Sequence, residues 1–151
     1  MPTKRSMIMK SGITLAVIGF AICFFCRENL GADWTVNSAN ENFTYLYDQE
    51  KIEEISSGIL RIWQKWLPSP KEVEKMVQED ALRYTNWDHS LLLTELDCGK
   101  RHQRLLAILE YDKNGNVTYI EDYSDSDWIF LIPGSVGEAL FEAICPWKQG
   151  R

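Results

Sequence analysis

Residues 91–123 read LLLTELDCGKRHQRLLAILEYDKNGNVTYIEDY, and this pattern predicts three antiparallel strands. Apolar residues run through each segment, and Gly99-Lys100 and Asn114-Gly115 interrupt them. Asn-Gly between apolar runs is a strong hairpin signal, because a type I′ turn needs positive φ at both central residues. We therefore predict a β-meander with two-residue turns. Its strands cover 91–98, 101–111 and 117–123.

A longer strand is predicted upstream over 59–67. Side chains alternate across a strand, so Trp63 and Trp66 lie on opposite faces, and at most one of them needs to lie beneath a helix. Two shorter strands are predicted over 33–36 and 43–47, where β-branched and aromatic residues flank a polar turn.

A helix is predicted between that long strand and the meander. Ser69 with Glu72 three residues later is typical of a capping box, in which Ser is the N-cap. Apolar residues at helical spacing extend this helix to Tyr84. Its charged residues, which include Glu72 and a Glu79–Arg83 pair at i and i+4, are expected to face solvent.

A second helix is predicted at the end of the chain. The capping pattern recurs at Ser135, which begins the helix, and Pro146 ends it. Leu140 and Ile144 belong to its inward apolar stripe. An antiparallel sheet with helices packed on it places the chain in the α+β class. The predicted architecture is a small antiparallel β-sheet with a β-meander, an inserted helix and a C-terminal helix.

Residues 1–32 have the features of an export signal. A basic start is followed by an uncharged apolar run over 11–26 and by small residues that end at Ala32. We predict a signal peptide over 1–32 and a single domain over 33–151. The alternative is an uncleaved membrane anchor through 11–26, although the run is shorter than the roughly 20 apolar residues that span a bilayer. In both cases the domain is exported.

The charge of the predicted domain excludes some partners. The whole chain carries a formal charge of −6, and its first 32 residues carry +3, so residues 33–151 carry −9. An acidic domain argues against nucleic acid, because Lys and Arg supply most of the affinity for phosphates. It also argues against an anionic membrane surface. Hydrophobic residues make up 45% of the chain, which is too many for an intrinsically disordered protein.

The predicted domain contains two cysteines, Cys98 and Cys145. Two thiols in an exported domain indicate one disulfide, which would hold the C-terminal helix on the sheet. The alternative is a reactive thiol beside a histidine, for which His89 and His102 are the candidates.

The sequence contains few residues that indicate catalysis. His89 and His102 lie outside any nucleophile or metal motif. Glu95 and Asp97 share a strand face and resemble an acid/base pair, although a solvated face explains them equally well. The Ser124–Asp127 turn lacks the glycine and distal glutamate of a calcium loop. We therefore predict no enzyme, no catalytic residue, no metal site and no cofactor.

The tryptophans are the candidates for partner binding. Six occur in the chain, and Trp is favoured both in protein interfaces and in the core of a small domain. Trp66 and Trp87 flank the inserted helix, so we predict that they form an exposed recognition surface. The alternative for each is a place in the core.

The predicted domain resembles the bacterial surface-adhesin protein E family. The resemblance rests on the order of short features from Trp34 to Cys145, about three quarters of the chain. Those features are Trp34, Tyr47-Asp48, Ile52, Trp63, Cys98, the Tyr111–Gly115 turn, Trp128, Pro133-Gly134-Ser135 and Cys145. The family plan is similar, with a signal peptide, a small antiparallel sheet, an α-helix and a disulfide.

The resemblance implies an exported, non-enzymatic binding module of the bacterial cell envelope. Its expected partner is a protein or an extracellular polymer, and its expected location is the periplasm or the cell surface. Membrane contact is expected only through residues 11–26, if they stay uncleaved. The alternative is a membrane-tethered or periplasmic structural or assembly component without adhesin activity.

Overall fold

The structure of the chain is a computed structural model that describes residues 32–145. The predicted export signal, and the anchor that is its alternative, lie outside the described residues apart from Ala32. None of the helices within residues 32–145 is long and apolar enough to cross a membrane.

Eight strands in the described part of the chain form one open antiparallel sheet. The strands are β1 (Trp34–Ala39), β2 (Phe43–Asp48), β3 (Glu53–Ser56), β4 (Ile59–Pro68), β5 (Trp87–Asp97), β6 (His102–Asp112), β7 (Val117–Asp122) and β8 (Ile129–Phe130). The main order is β1-β2-β4-β5-β6-β7, while β3 pairs with β4 and β8 pairs with β6. The predicted meander is confirmed as β5-β6-β7, and the predicted α+β class is confirmed.

The two predicted two-residue turns are wrong, because both loops of the meander are longer. An aspartate at the end of each preceding strand accepts loop N–H groups, which stabilises a four-residue connection. The Asp97 carboxylate accepts from Gly99 and Lys100, and the Asp112 carboxylate accepts from Asn114 and Asn116. In the second loop positive φ occurs only at Gly115, at 81°, so the expected type I′ turn does not form.

The predicted inserted helix is two helices, α1 (Pro70–Glu79) and α2 (Ala81–Tyr84). Asp80 between them has an extended backbone, with φ −148° and ψ 91°, and its carboxylate accepts the Arg83 N–H as the N-cap of α2. The predicted Glu79–Arg83 pair is wrong, because Arg83 binds Glu110 on β6 instead.

Glu72 in α1 is also placed differently from the prediction. Its side chain is buried rather than exposed to solvent, and its carboxylate lies 3.5 Å from the Lys75 ammonium. Ser69 caps the helix as predicted, because its hydroxyl accepts the Glu72 N–H. The return bond of a capping box is missing, since the Ser69 N–H donates to the Asn42 carbonyl.

The C-terminal helix, α3 (Val136–Ile144), packs on one face of the sheet, which we call the covered face. Directly paired residues share a face, and Leu60 of β4 is paired with Leu96 of β5. Leu140 and Ile144 of α3 pack against this pair, so their predicted inward position is confirmed. The core comprises Tyr47, Leu60, Ile62, Leu96, Leu131, Leu140, Phe141, Ile144 and Cys145.

A disulfide joins the meander to α3. Cys98 lies in the loop after β5, Cys145 lies directly after α3, and their Cα atoms are 5.7 Å apart. The bond therefore holds the end of the helix against the sheet, as the sequence analysis expected.

Candidate interaction surface

The opposite face of the sheet consists of the intervening residues of the same strands. Paired residues on neighbouring strands form two rows across this face. The first row is Trp63, Leu93 and Ala107, and the next row is Lys65, Leu91, Leu109 and Ile120. We call this the open face. It is defined by Val36, Leu46, Arg61, Trp63, Lys65, Leu91, Leu93, Glu95, Arg104, Ala107, Leu109 and Ile120.

The open face is apolar and accessible. Its apolar side chains are partly exposed, and Val36 and Ile120 near its two edges are 60% and 65% exposed. An antiparallel sheet with one solvated face normally alternates apolar and polar residues. Residues 91–93 and 105–109 are instead continuous apolar runs, which are typical of strands covered on both faces. A contiguous exposed apolar patch of this kind marks an interaction site.

This surface was not predicted from the sequence, although those two runs indicated it. The runs predicted only strands, because periodicity along one strand does not show which neighbours cover each face.

A charged group crosses the apolar rows at Glu95. Its carboxylate is completely buried between Arg61 and Arg104. The Nη2 atom of each arginine lies 2.7 Å from a different oxygen of Glu95, and each Nε donates as well. These charge-assisted bonds satisfy a carboxylate that would be costly to bury alone. Two guanidinium groups against one carboxylate leave a net positive charge at the centre of the open face.

Two tryptophans flank the open face and contact its cations. The Lys65 ammonium lies 5.8 Å from the ring centre of Trp34, and the Arg104 guanidinium lies 4.7 Å from that of Trp128. Such distances favour cation–π attraction. The combination of flat apolar rows, arginine and tryptophan is typical of the energetically important part of a protein interface.

The predicted recognition residues Trp66 and Trp87 lie away from the open face. Trp87 is only 6% exposed, because Tyr84 of α2 covers it at a ring distance of 5.2 Å. Its expected exposure is therefore wrong. Trp66 is partly buried and packs edge-on against Tyr45, with 5.1 Å between the ring centres. A partner-binding role for Trp66 stays a prediction.

The structure does not bring the two histidines together. His89 pairs with Tyr111 at one end of the β5–β6 hairpin, and His102 pairs with Asp97 at its other end. The eight-residue offset along β5 corresponds to about 26 Å at the usual rise per strand residue. The Nδ1 atom of His89 lies 2.7 Å from the Asp88 carboxylate, and the His102 ring packs against Phe130 at a tilt of 38°.

The carboxylates named as an acid/base pair have structural partners. Glu95 binds Arg61 and Arg104 as described, and Asp97 accepts the N–H groups of its loop. At the start of the Ser124–Asp127 turn, the Ser124 N–H donates to the Asp122 carboxylate at the end of β7. Across residues 32–145 there is no group of three acidic, histidine or cysteine side chains placed to hold a metal ion.

Comparison with known proteins gives one match. A sequence profile for surface-adhesin protein E matches residues 34–146, which include every residue that defines the open face. No curated protein and no solved structure matches the chain significantly.

Proposed function

The chain belongs to the surface-adhesin protein E family, and from this membership we propose that it is an exported, non-enzymatic binding module of the bacterial cell envelope. We propose that the module recognises a protein partner through the open face. The observation that carries the proposal is the pair of apolar rows through Trp63 and Lys65. These rows stay accessible because α2 and α3 pack on the covered face.

The apolar rows supply the driving force for association. Removing apolar surface from water is worth roughly 25 cal/mol per Å², and leucines on a flat sheet face lose that surface together when a partner docks. The side chains involved already sit on regular strands, so little conformational entropy is lost in ordering them. A preorganised sheet face therefore favours a protein partner with a matching flat surface.

The charges of the open face favour a partner with acidic side chains. Arg61, Lys65 and Arg104 lie among the apolar residues, and Glu95 already neutralises part of their charge. Asp97 and Asp122 lie on the same face by strand register, away from its centre, and their carboxylates accept loop N–H groups. A partner that places carboxylates opposite the three cations would gain electrostatic complementarity, which raises the association rate and selects orientation.

We propose the cell exterior as the site of action. The basic and apolar residues 1–32 support export, with an uncleaved anchor through 11–26 as the alternative. The Cys98–Cys145 disulfide supports an oxidising compartment.

Protease treatment of intact native cells tests the location. Peptides from residues 33–151 should be released while a periplasmic control protein stays intact, and mass spectrometry should identify them. If these peptides appear only after the outer barrier is broken, the surface location is overturned and a periplasmic assembly role replaces adhesion.

Binding to immobilised fibronectin, fibrinogen and serum albumin tests the open face. Leu109→Glu places a carboxylate in the middle of the apolar rows and should weaken binding to the recognised protein at least about tenfold. Leu82→Glu is the matched control, because Leu82 is fully exposed on α2. Equal effects of the two substitutions would exclude the open face as the contact surface. Binding that does not weaken as salt screens the cations would exclude a partner with carboxylates opposite them.

A further inference from the structure

A concave site lies on the covered face, away from the open face. It is a cleft of about 300 Å³ between strands β4, β5 and β6 and the first turn of α3. Trp66, Leu105 and Val136 contribute to its apolar walls, and Gln64, Thr94 and Gln103 contribute polar atoms. Its volume corresponds to the lower end of small-molecule sites in proteins.

The polar side chains of the cleft retain unused hydrogen-bonding capacity. Gln64 and Thr94 are 6% and 4% exposed, and the Gln64 amide donates to the Thr94 hydroxyl over 2.8 Å. No other side-chain hydrogen bond within residues 32–145 involves either residue, so the Gln64 carbonyl has no donor and the Thr94 hydroxyl proton has no acceptor. Buried polar groups are normally paired. This pair therefore presents one acceptor and one donor to whatever occupies the cleft.

Two further donors lie beside this pair. The Trp66 indole N–H is buried without a partner among the described residues. The Gln103 side-chain amide likewise forms no hydrogen bond in the described part of the chain, and it lies against Gly137 at the start of α3. A Cβ atom at position 137 would lie 2.3 Å from the Gln103 carbonyl oxygen. Glycine at this position therefore lets the Gln103 side chain rest at the wall of the cleft.

The cleft is lined entirely by uncharged side chains. A charged ligand would lose its hydration without gaining a counter-charge, and a purely apolar ligand would leave Gln64 and Thr94 unpaired. The ligand that fits is neutral and carries groups that both donate and accept hydrogen bonds, as hydroxyl groups do. It also needs an apolar surface for the aliphatic and aromatic walls.

We propose that this cleft binds one ring of a neutral saccharide. The hydroxyls of a hexose pair with Gln64, Thr94 and Gln103, and its C–H groups pack against the walls that include Trp66. The electron-rich face of an indole attracts such polarised C–H groups. This site is separate from the open face, so the protein would contact a glycosylated or polysaccharide surface independently of its protein partner.

A titration of the isotope-labelled full chain tests the proposal. The probes are methyl α-mannopyranoside, methyl β-galactopyranoside and N-acetylglucosamine, and NMR follows the side-chain N–H signals of Gln64, Gln103 and Trp66. We expect all three signals to shift with at least one probe, with Kd of the order of 1 mM.

Two variants should weaken sugar binding by different routes. Gln64→Leu removes the acceptor that Gln64 presents to the cleft and should raise Kd at least about tenfold. Gly137→Ala places a Cβ atom 2.3 Å from the Gln103 carbonyl oxygen, so Gln103 must leave its position at the cleft wall, while Gln64 is unchanged. Gln78→Leu is the matched control on the exposed side of α1, and it should leave Kd unchanged. Gly137→Ala keeps the test decisive if Gln64→Leu fails to fold.

Three results would overturn the proposal. They are the absence of any shift at about 100 mM probe, equal Kd values for Gln64→Leu and the control, and shifts caused by N-acetylglutamine amide but by none of the sugars. The last result would assign the cleft to a peptide amide. Dextran, and ovalbumin before and after removal of its glycans, then distinguish a polysaccharide source from a glycoprotein source.

Discussion

Arg83 of α2 binds Glu110 of β6 through two hydrogen bonds, from Nε over 2.8 Å and from Nη2 over 2.7 Å. The guanidinium also lies 3.6 Å from the ring centre of Tyr119 on β7. Glu110 raises the pKa of Arg83 above its ordinary value, chiefly through these hydrogen bonds. This bidentate pair ties the short helix α2 to the meander, and α2 in turn covers Trp87.

Loss of Arg83 should therefore destabilise the region around α2. Arg83→Met leaves the buried Glu110 carboxylate without its counter-charge, and we expect a loss of about 1–2 kcal/mol in the free energy of unfolding. That range allows for solvent screening, because the Arg83 side chain is 32% exposed. Urea denaturation measures it. Lys71→Met is the control, because Lys71 forms an ion pair with Glu41 in which both side chains are about three quarters exposed. A loss no larger than the control's would contradict the structural role of the pair.

The disulfide should be a major source of stability. Cys98 and Cys145 are 47 positions apart, and closing a loop of that length is worth about 4 kcal/mol in the chain-entropy estimate. Cys98→Ser should lower Tm by about 10 °C or more in oxidising buffer. The same difference should vanish when both proteins are measured under reducing conditions. Free thiols at these positions in the native protein would reject the bond.

The N-cap of α3 should be important because this helix supplies much of the core. The Ser135 hydroxyl accepts the Glu138 N–H over 3.1 Å. Ser135→Ala should cost about 1 kcal/mol in unfolding free energy, because that N–H then has no partner. Ser57→Ala, in an exposed turn, serves as the control and should change stability by less than about 0.5 kcal/mol. Equal effects on thermal unfolding would show that the cap is unimportant.

Asp112 should make the meander loop sensitive to acid. Hydrogen bonds from Asn116, first from its side chain and then from its backbone, hold the pKa of the Asp112 carboxyl below its ordinary value. A carboxyl group with a depressed pKa stabilises the fold at pH values above its ordinary pKa. This contribution is lost as pH falls through the folded-state pKa.

Asn116→Ala should raise the pKa of Asp112, which a carbon-detected NMR titration of its carboxyl group measures. Gln78→Ala on α1 is the control and should leave that pKa unchanged. An identical Asp112 titration curve in Asn116→Ala and the unaltered chain would refute the assigned cause.

Several elements of the fold could be predicted because their signals are local. The apolar runs, Gly99-Lys100 and Asn114-Gly115 predicted the meander, and Ser69 and Ser135 predicted the helix starts. Two predictions for the inserted helix failed, one because a distant residue competed with a local one and the other because of a local cap. Arg83 was expected to pair with Glu79 one turn away, but Glu110 offers it a buried bidentate partner. The helix was expected to be continuous, but Asp80 ends α1 and caps α2.

The candidate interaction surface was harder to predict than the fold. Trp66 and Trp87 were expected at the surface because they flank the inserted helix, yet their strand register turns both toward the covered face, where Trp87 meets Tyr84. The open face became visible only when six strands were placed side by side. Each strand contributes one residue to a row, so no single segment of the sequence contains the surface.

The amino-acid sequence by itself determined the class of fold, the acidic character of the domain, the family resemblance and the two cysteines available for a bond. These properties depend on composition, periodicity and residues that are close in the chain. The tertiary structure alone decided which side of each strand is covered, which cations surround Glu95 and which polar groups meet in the cleft beside α3. Those relationships depend on strand register and helix docking, which bring together residues that are tens of positions apart.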